Sequence, residues 1–327
     1  MMPMSDSNVP NVSKPHVKYG FDVKYRMRKY RFLYIFLAVI VVYYLIFNYY
    51  PILLGVLMSL KNVKIGMNPF NAPWANTNGK SLFDNYISIL KNPEIINVVK
   101  NTLQISLLRL AWTFWPPIVL AISIFDIIFT KFKKICQTII YVPYFFSWVI
   151  VYGIVFAFFS GQGFMNSLTA MLFKSKPISY LEGAAYFRSL LIGSQIWKGA
   201  GWGTILYFAG LTTINPELYE AAKIDGAGPL QRIRAVTLPG LLPLITFNLI
   251  FTIGGILGTD FEQILMYYNA AVYSVADVID TWVYRIGLGK MQYSVGSAVG
   301  LMRAFIAFIL IVLANRLSRK IAGRGLW

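Results

Sequence analysis

Long apolar runs alternate with short polar connections along this chain, and the alternation predicts an all-α protein that crosses a membrane repeatedly. Six runs stand out: Phe32 to Leu60, Ile95 to Phe125, Cys136 to Ser160, Ser189 to Thr212, Leu241 to Thr259 and Val295 to Leu317. Each is close to or above the roughly 20 residues that a transmembrane helix needs. Pro116 and Pro117 predict a kink in the second run, and Pro143 an interruption of the third. The fourth is dense in glycine, at Gly193, Gly199, Gly201, Gly203 and Gly210, which lets helices approach closely or sets backbone beside a cavity. Between the third and fourth runs, the apolar patch from Phe164 to Phe173 is expected as a short helix at the membrane interface.

One polar stretch, Asn215 to Pro243, has helix signals of its own. Asn215 suits an N-cap and Pro216 the first helical position, where its missing N–H is not needed. Gly226 can end that helix, and after the Gly228-Pro229 turn a second short one can run through Leu230, Ile233 and Val236. Pro239 and Pro243 are then expected to hand the chain to the fifth run. The product is a helix-turn-helix on one membrane face.

Charge sharpens this picture. Of the 327 residues, 57% are hydrophobic and 13% charged, with 30 Lys and Arg against 13 Asp and Glu, a net charge of +17. The basic residues are spread over the ends and short connections of the apolar runs, so no nucleic-acid partner is expected. The tail from Met1 to Arg31 carries Lys14, Lys18, Lys24, Arg26, Arg28, Lys29 and Arg31 against Asp6 and Asp22. With six spans, about 17 basic residues fall on the side of both termini and about 9 on the other, which places the termini and the 213–240 loop in the cytoplasm. The first run exceeds the roughly 7 to 15 residues of a signal-peptide core and is expected to remain as an anchor. The expected organisation is a basic tail at 1–31, a first helix and external loop at 32–94, a five-helix core at 95–317 and a second tail at 318–327. The single cysteine, Cys136, and the single histidine, His16, offer no disulfide and no metal site, and no catalytic constellation is visible.

Glu220-Ala221-Ala222, Asp225-Gly226-Ala227, then Val236, Leu238 and Pro239 resemble the EAA loop of ABC-importer permeases. Phe83-Asp84-Asn85-Tyr86, Asn92-Pro93 and Asn101-Thr102-Leu103 resemble the pattern before the second span of the carbohydrate-type permeases. The closing Arg-Gly-Leu-Trp is similar to their LplB-like branch, which handles oligosaccharides and polysaccharides. The resemblance implies a permease subunit in a bacterial inner membrane that works by alternating access. A second, similar but different permease would complete the pathway. Glu220, Ala221, Ala222, Asp225, Gly226 and Ala227 would form the coupling helix that docks on an ATPase dimer. ATP and magnesium would be bound by that dimer, and sugar delivered by an external solute-binding protein. Gly79-Lys80-Ser81 imitates the end of a P-loop, but Trp74 stands where its first glycine belongs, so no nucleotide site and no enzymatic activity are expected in this chain.

Arg109, Lys198 and Arg303 lie inside three different runs, where a charge costs about 2.5 to 3.5 kcal/mol at a helix centre. Lys100 is near enough to an outer end to snorkel. The other three either line an electropositive path for an acidic saccharide such as alginate, with Trp202 as a stacking surface, or pair with acids and carbonyls of a partner. Neutral oligosaccharides are the alternative cargo. An ion-coupled secondary transporter is the alternative class, but it usually needs intramembrane acids, whereas these charges are basic.

Overall fold

The computed structural model of the chain describes residues 28–77, 81–258 and 260–322. The basic tail at 1–27 with His16, Gly79 and Lys80 of the P-loop-like triplet, and the closing Arg-Gly-Leu-Trp lie outside the described residues. Among the described residues there is no strand, only a bridge between Lys61 and Trp74. Two compact units are present, Met1–Leu53 and Leu54–Trp327.

The first unit contains most of helix α1, Arg31–Ser59. Its sequence is apolar around the whole circumference, and none of its described side chains in that unit is buried within the chain. A π-helical turn at Leu45–Tyr49 precedes Pro51 and accommodates a ring that has no N–H to donate.

The second unit is a helical bundle. Its elements are α2 (Asp84–Lys91), α3 (Pro93–Thr113), α4 (Trp115–Phe125), α5 (Thr130–Tyr141), α6 (Trp148–Phe159), α7 (Phe164–Phe173) and α8 (Ala184–Thr212). There follow α9 (Pro216–Ile224), α10 (Pro229–Gly254), α11 (Phe261–Tyr267), α12 (Tyr273–Ala276), α13 (Ile279–Val283) and α14 (Tyr293–Ala322). The two proline signals act as expected. The second run breaks at Phe114, ahead of Pro116 and Pro117, and the third breaks into a 3-10 turn at Val142–Phe145 before restarting on the N-cap of Ser147. Pro239 and Pro243 behave differently from expectation: α10 continues straight through both. The chain opens into a π-helical turn at Ile233–Thr237, just before Pro239, and this wider spacing relieves the clash a proline ring makes with the carbonyl four residues back.

Among the described residues, five helices are long and apolar enough to cross a membrane: Arg31–Ser59, Pro93–Phe125, Trp148–Phe173, Pro229–Gly254 and Tyr293–Lys320. The fourth run forms α8, whose 29 residues reach about 43 Å, but Arg188, Lys198 and its glycines make it more polar than those five. Its position explains this. It packs on α3, α4, α5, α10 and α11, so much of its surface meets protein rather than lipid. Close approach is its means of packing: a Cβ on Gly201 would stand 1.8 Å from the Ile140 carbonyl oxygen, and one on Gly203 would stand 2.9 Å from the Pro117 ring.

Three buried apolar clusters follow one another along the α3–α4 pair. Ile95 and Val98 pack with Ile279, Trp282 and Val299. Ile105 packs with Phe187, Leu191, Ile264 and Val278. Phe114, Ile118 and Ala121 pack with Tyr207, Leu211 and Leu241, and Phe125 and Ile214 lie against that third cluster. The helices α3–α4 and α8 therefore run in the same direction, and the loop after α8 shares its end of the bundle with the loop after α4.

The segment from Asp260 to Ser294, which joins the fifth and sixth runs, folds back against the bundle. Its α11 and α13 insert Ile264, Tyr267, Ile279 and Trp282 into the first two clusters. Apolar residues too widely spaced to make a span find cover in this way.

Candidate functional site

Three places carry the polar chemistry of the chain. The first is the loop around α9. The Asn215 side chain accepts from the Glu217 N–H at 3.0 Å and caps the helix, while Glu217 and Lys223 sit at the ends their charges favour. The exit uses Gly226 at φ +75°, a left-handed conformation that glycine adopts without strain, and the Ala227 N–H closes the turn onto the Ala222 carbonyl at 2.9 Å. Gln231 then accepts from the Gly228 N–H at 2.7 Å, and Tyr219 is hydrogen-bonded to Thr237 at 3.1 Å, which ties α9 to α10. No residue of α9 is buried. Glu220, Ala221, Asp225 and Gly226 are exposed, with Ala222 and Ala227 half-buried. Sequence reasoning passed over the apolar part of this surface. Ile224 is 86% and Leu230 75% exposed beside the acids, the mixture expected of a surface that meets another protein.

The second place is a cavity of about 310 Å³ between α3, α8 and the end of α10, lined by Ser106, Arg109, Thr113, Gln195, Thr252, Gly258 and Asp260. Arg109 donates through Nη2 to the Gln263 amide oxygen. Gln263 is fully buried and donates in turn to the Leu191 carbonyl at 2.7 Å and to Ser194 Oγ at 3.0 Å. Three buried atoms on the cavity wall, Ser106 Oγ, Arg109 Nε and Gln195 Oε1, have no protein partner. Buried polar atoms are normally paired, so a cavity with donors and acceptors left over suits a hydroxylated ligand or water. Arg303 reaches the edge of this cavity, its Nη2 3.7 Å from where a Cβ on Gly258 would lie, and it forms an ion pair with Asp280.

Lys198 and Trp202 belong elsewhere. Lys198 donates to the Tyr144 carbonyl at 2.7 Å and lies over the Tyr144 and Trp148 rings at 5.0 and 5.3 Å. Trp202 stacks on Tyr144 with centroids 4.4 Å apart and planes 6° from parallel, and remains 43% exposed. The expected set thus divides: Arg109 and Arg303 flank one cavity, while Lys198 and Trp202 form a separate aromatic platform.

The third place was not visible in the sequence. At the opposite end of the bundle from α9, Arg285 bridges Glu94 and Asp277, each at 2.7 Å. Tyr273 donates to Glu94 at 3.0 Å, Trp282 to Glu94 at 3.2 Å, and Thr281 and Tyr268 to Asp277 at 2.8 and 3.2 Å. Burial and then the Asp277 carboxylate push the Tyr268 phenol up to about 12, so it stays a donor. Burial alone would lower the Arg285 guanidinium, but the hydrogen bond to Glu94 and the charge of Asp277 hold it above its ordinary value. The motif residues before the second span build the surroundings. Asn101 donates to the Ser274 and Asp277 carbonyls, Thr102 accepts from the Ile279 N–H, Asn92 caps α3, and Asn85 donates to the Ser59 and Lys61 carbonyls. No group of three or more His, Cys, Asp or Glu side chains suited to a metal occurs among the described residues.

Comparison with known proteins gives these features a family. Residues 116–324 match the model of the binding-protein-dependent transport system inner membrane component. The chain is 37% identical over 302 residues to Protein LplB of Bacillus subtilis (strain 168), covering 92% of each chain. It is 35% identical over 297 residues to the polygalacturonan/rhamnogalacturonan transport system permease protein YteP of the same organism, covering 91% of this chain and 90% of that one. A chain from the crystal structure of a bacterial ABC transporter involved in import of the acidic polysaccharide alginate superposes with a TM-score of 0.82 at 34% identity, over 91% of this chain and 99% of that one. A second structure of such a transporter, in complex with an alginate pentasaccharide-bound periplasmic protein, gives 0.83 over 92% and 99%, also at 34% identity. The helical bundle, its several membrane-crossing helices and these matches make the chain a multi-pass membrane protein of the binding-protein-dependent ABC-importer permease family.

Proposed function

We propose that this permease moves an oligosaccharide or polysaccharide into a bacterial cytoplasm, with acidic saccharides as its favoured class, and that α9 is its coupling helix. In this reading both termini and α9 face the cytoplasm and α8 completes a set of six spans. A second, similar permease pairs with the chain. An ATPase dimer that binds ATP and magnesium docks on Glu220, Ala221, Ala222, Asp225, Gly226 and Ala227, and a solute-binding protein delivers sugar from outside. Closure of the ATPases pushes α9, which is tied to α10 through Tyr219 and Thr237, and so changes which side the pathway opens to.

The observation that carries the cargo reading is the Arg109 cavity with its unpaired buried donor and acceptors. A sugar presents both kinds of group, and a uronate adds a carboxylate for Arg109. The relatives named for polygalacturonan, rhamnogalacturonan and alginate support the acidic class. One observation favours neutral sugars instead: Arg303 is already neutralised by Asp280, and Lys198 lies on the separate aromatic platform against the Tyr144 carbonyl, so neither adds an unshared positive charge to the Arg109 cavity. ATPase stimulation of the reconstituted importer by uronate and neutral oligosaccharides of equal length separates the two. The acidic reading expects stimulation by uronates that falls at least tenfold in Arg109→Gln; stimulation by neutral sugars alone contradicts it.

A further inference from the structure

One face of α8 joins the Arg109 cavity to the aromatic platform. Gln195, on the cavity wall, and Trp202, on the platform, belong to one unbroken α-helix and are seven residues apart. That spacing sets them about 20° apart around the helix and about 10 Å apart along it, with Trp202 nearer the α9 end. Lys198 stands between them on the same side. Both flanks of the helix are occupied: Gly201 lies against Ile140, Gly203 against Pro117, and Gly210 against Leu241 and Leu244. Trp202 is 43% exposed, and Ile205 and Leu206, one turn further, are 41 and 40% exposed. Between its flanks, this face is a strip that the chain leaves open.

The chemistry of the strip is concentrated at the platform. Lys198 is the central residue of the 29 in α8, where a charge turned toward acyl chains is costly. Its ammonium gives one of three N–H groups to the Tyr144 carbonyl and rests over the Tyr144 and Trp148 rings, so it is held in place with donors to spare. Trp202, one helical turn on, has one face stacked on Tyr144, and the exposed Phe145 ring meets it edge-on at 6.0 Å. A flat ring with a fixed cation beside it matches a pyranose, which has an apolar C–H face and a polar edge.

We propose that the platform is a second saccharide subsite, about 10 Å along α8 from the Arg109 cavity, in which one ring of the cargo stacks on Trp202 and offers an oxygen to Lys198. Continuity selects the occupant. An oligomer with one residue at Arg109 has its next residues along the same helical face, toward the end of the bundle that carries α9. An acyl chain, or an apolar helix of a second permease, would cover the rings and offer nothing to Lys198. The inference rests on the saccharide-permease reading and holds for acidic and neutral cargo alike.

The test is uptake of galacturonate and galactose oligomers, from dimers to hexamers, by the assembled importer in proteoliposomes. One binding protein serves every variant, so the ratio to wild type cancels that protein's own length preference. In the series that wild type accepts, Trp202→Leu and Lys198→Gln are each expected to lower hexamer uptake about tenfold and dimer uptake least. Trp202→Phe keeps a ring and is expected to stay near wild type. Lys198→Gln keeps a donor for the Tyr144 carbonyl, so it reads the site even if Trp202→Leu assembles poorly. Wild-type uptake at every length in both variants, or a loss that is equal at every length and shared by Trp202→Phe, overturns the subsite and leaves the saccharide reading standing. Uptake of neither series by wild type overturns the two together.

Discussion

Two short helices that join longer ones, α9 and α13, are held in opposite ways. What holds α9 is local: a cap from Asn215, a left-handed glycine at 226 and one hydroxyl contact 18 residues away, with no side chain buried. What holds α13 and the turn after it comes from far along the chain. The Ile279 N–H is bonded to Thr102 and Arg285 to Glu94, partners 177 and 191 residues distant, while Ile279, Thr281 and Trp282 are buried. A helix secured by its own ends leaves its surface available to another protein. One secured by distant partners has its surface taken up by the fold.

The largest expected effect is at the α13 end. Arg285→Met leaves Asp277, 3% exposed, without its counterion, and removing one partner of a buried pair costs about 3 kcal/mol. Thermal unfolding of the purified complex should show a clear loss of stability, and an unchanged midpoint would mean the knot is not structural. Gln263→Leu comes next, at about 2 kcal/mol, because it leaves the Arg109 Nη2 without its acceptor, while the Leu191 carbonyl keeps only Ser194 Oγ as a side-chain donor. It should also depress transport more than its stability loss explains, since Arg109 loses the contact that aims it. In the α9 loop, Gly226→Ala places a side chain at φ +75° and Asn215→Ala removes the cap, each at about 1 kcal/mol. Protease sensitivity of the loop, rather than global unfolding, is the measurement that should register these. Glu220→Ala should change stability least, by under about 0.5 kcal/mol, because the side chain is exposed. A larger loss would show that α9 is built into the bundle as firmly as α13.

The same contrast explains what could be read from sequence. The α9 loop was legible because its cap, its proline and its glycine act on their immediate neighbours, and the breaks near Pro116 and Pro143 were legible for the same reason. Long apolar runs announced the spans. Pro239 and Pro243 misled, because a π-helical turn can absorb a proline that would otherwise end a helix. Gln263, Glu94, Asp277 and Arg285 were not picked out as a network, since each looks like an ordinary polar residue in a connection. Only folding brings Gln263 to Leu191 and Arg285 to Glu94. Arg109, Lys198 and Arg303 were found by the cost of placing charge in a span, but their separation onto a cavity wall and an aromatic platform depends on helix rotation, which that cost does not encode.

In the proposed mechanism, the exposed acidic and apolar face of α9 is where the motion of an ATPase enters the bundle. ATPase activity of the purified complex in lipid, with and without sugar-loaded binding protein, tests it most directly when wild type is set beside Glu220→Arg. The variant is expected to assemble and unfold like wild type but to lose its sugar-stimulated turnover. Stimulation equal to wild type in an intact Glu220→Arg complex would contradict it.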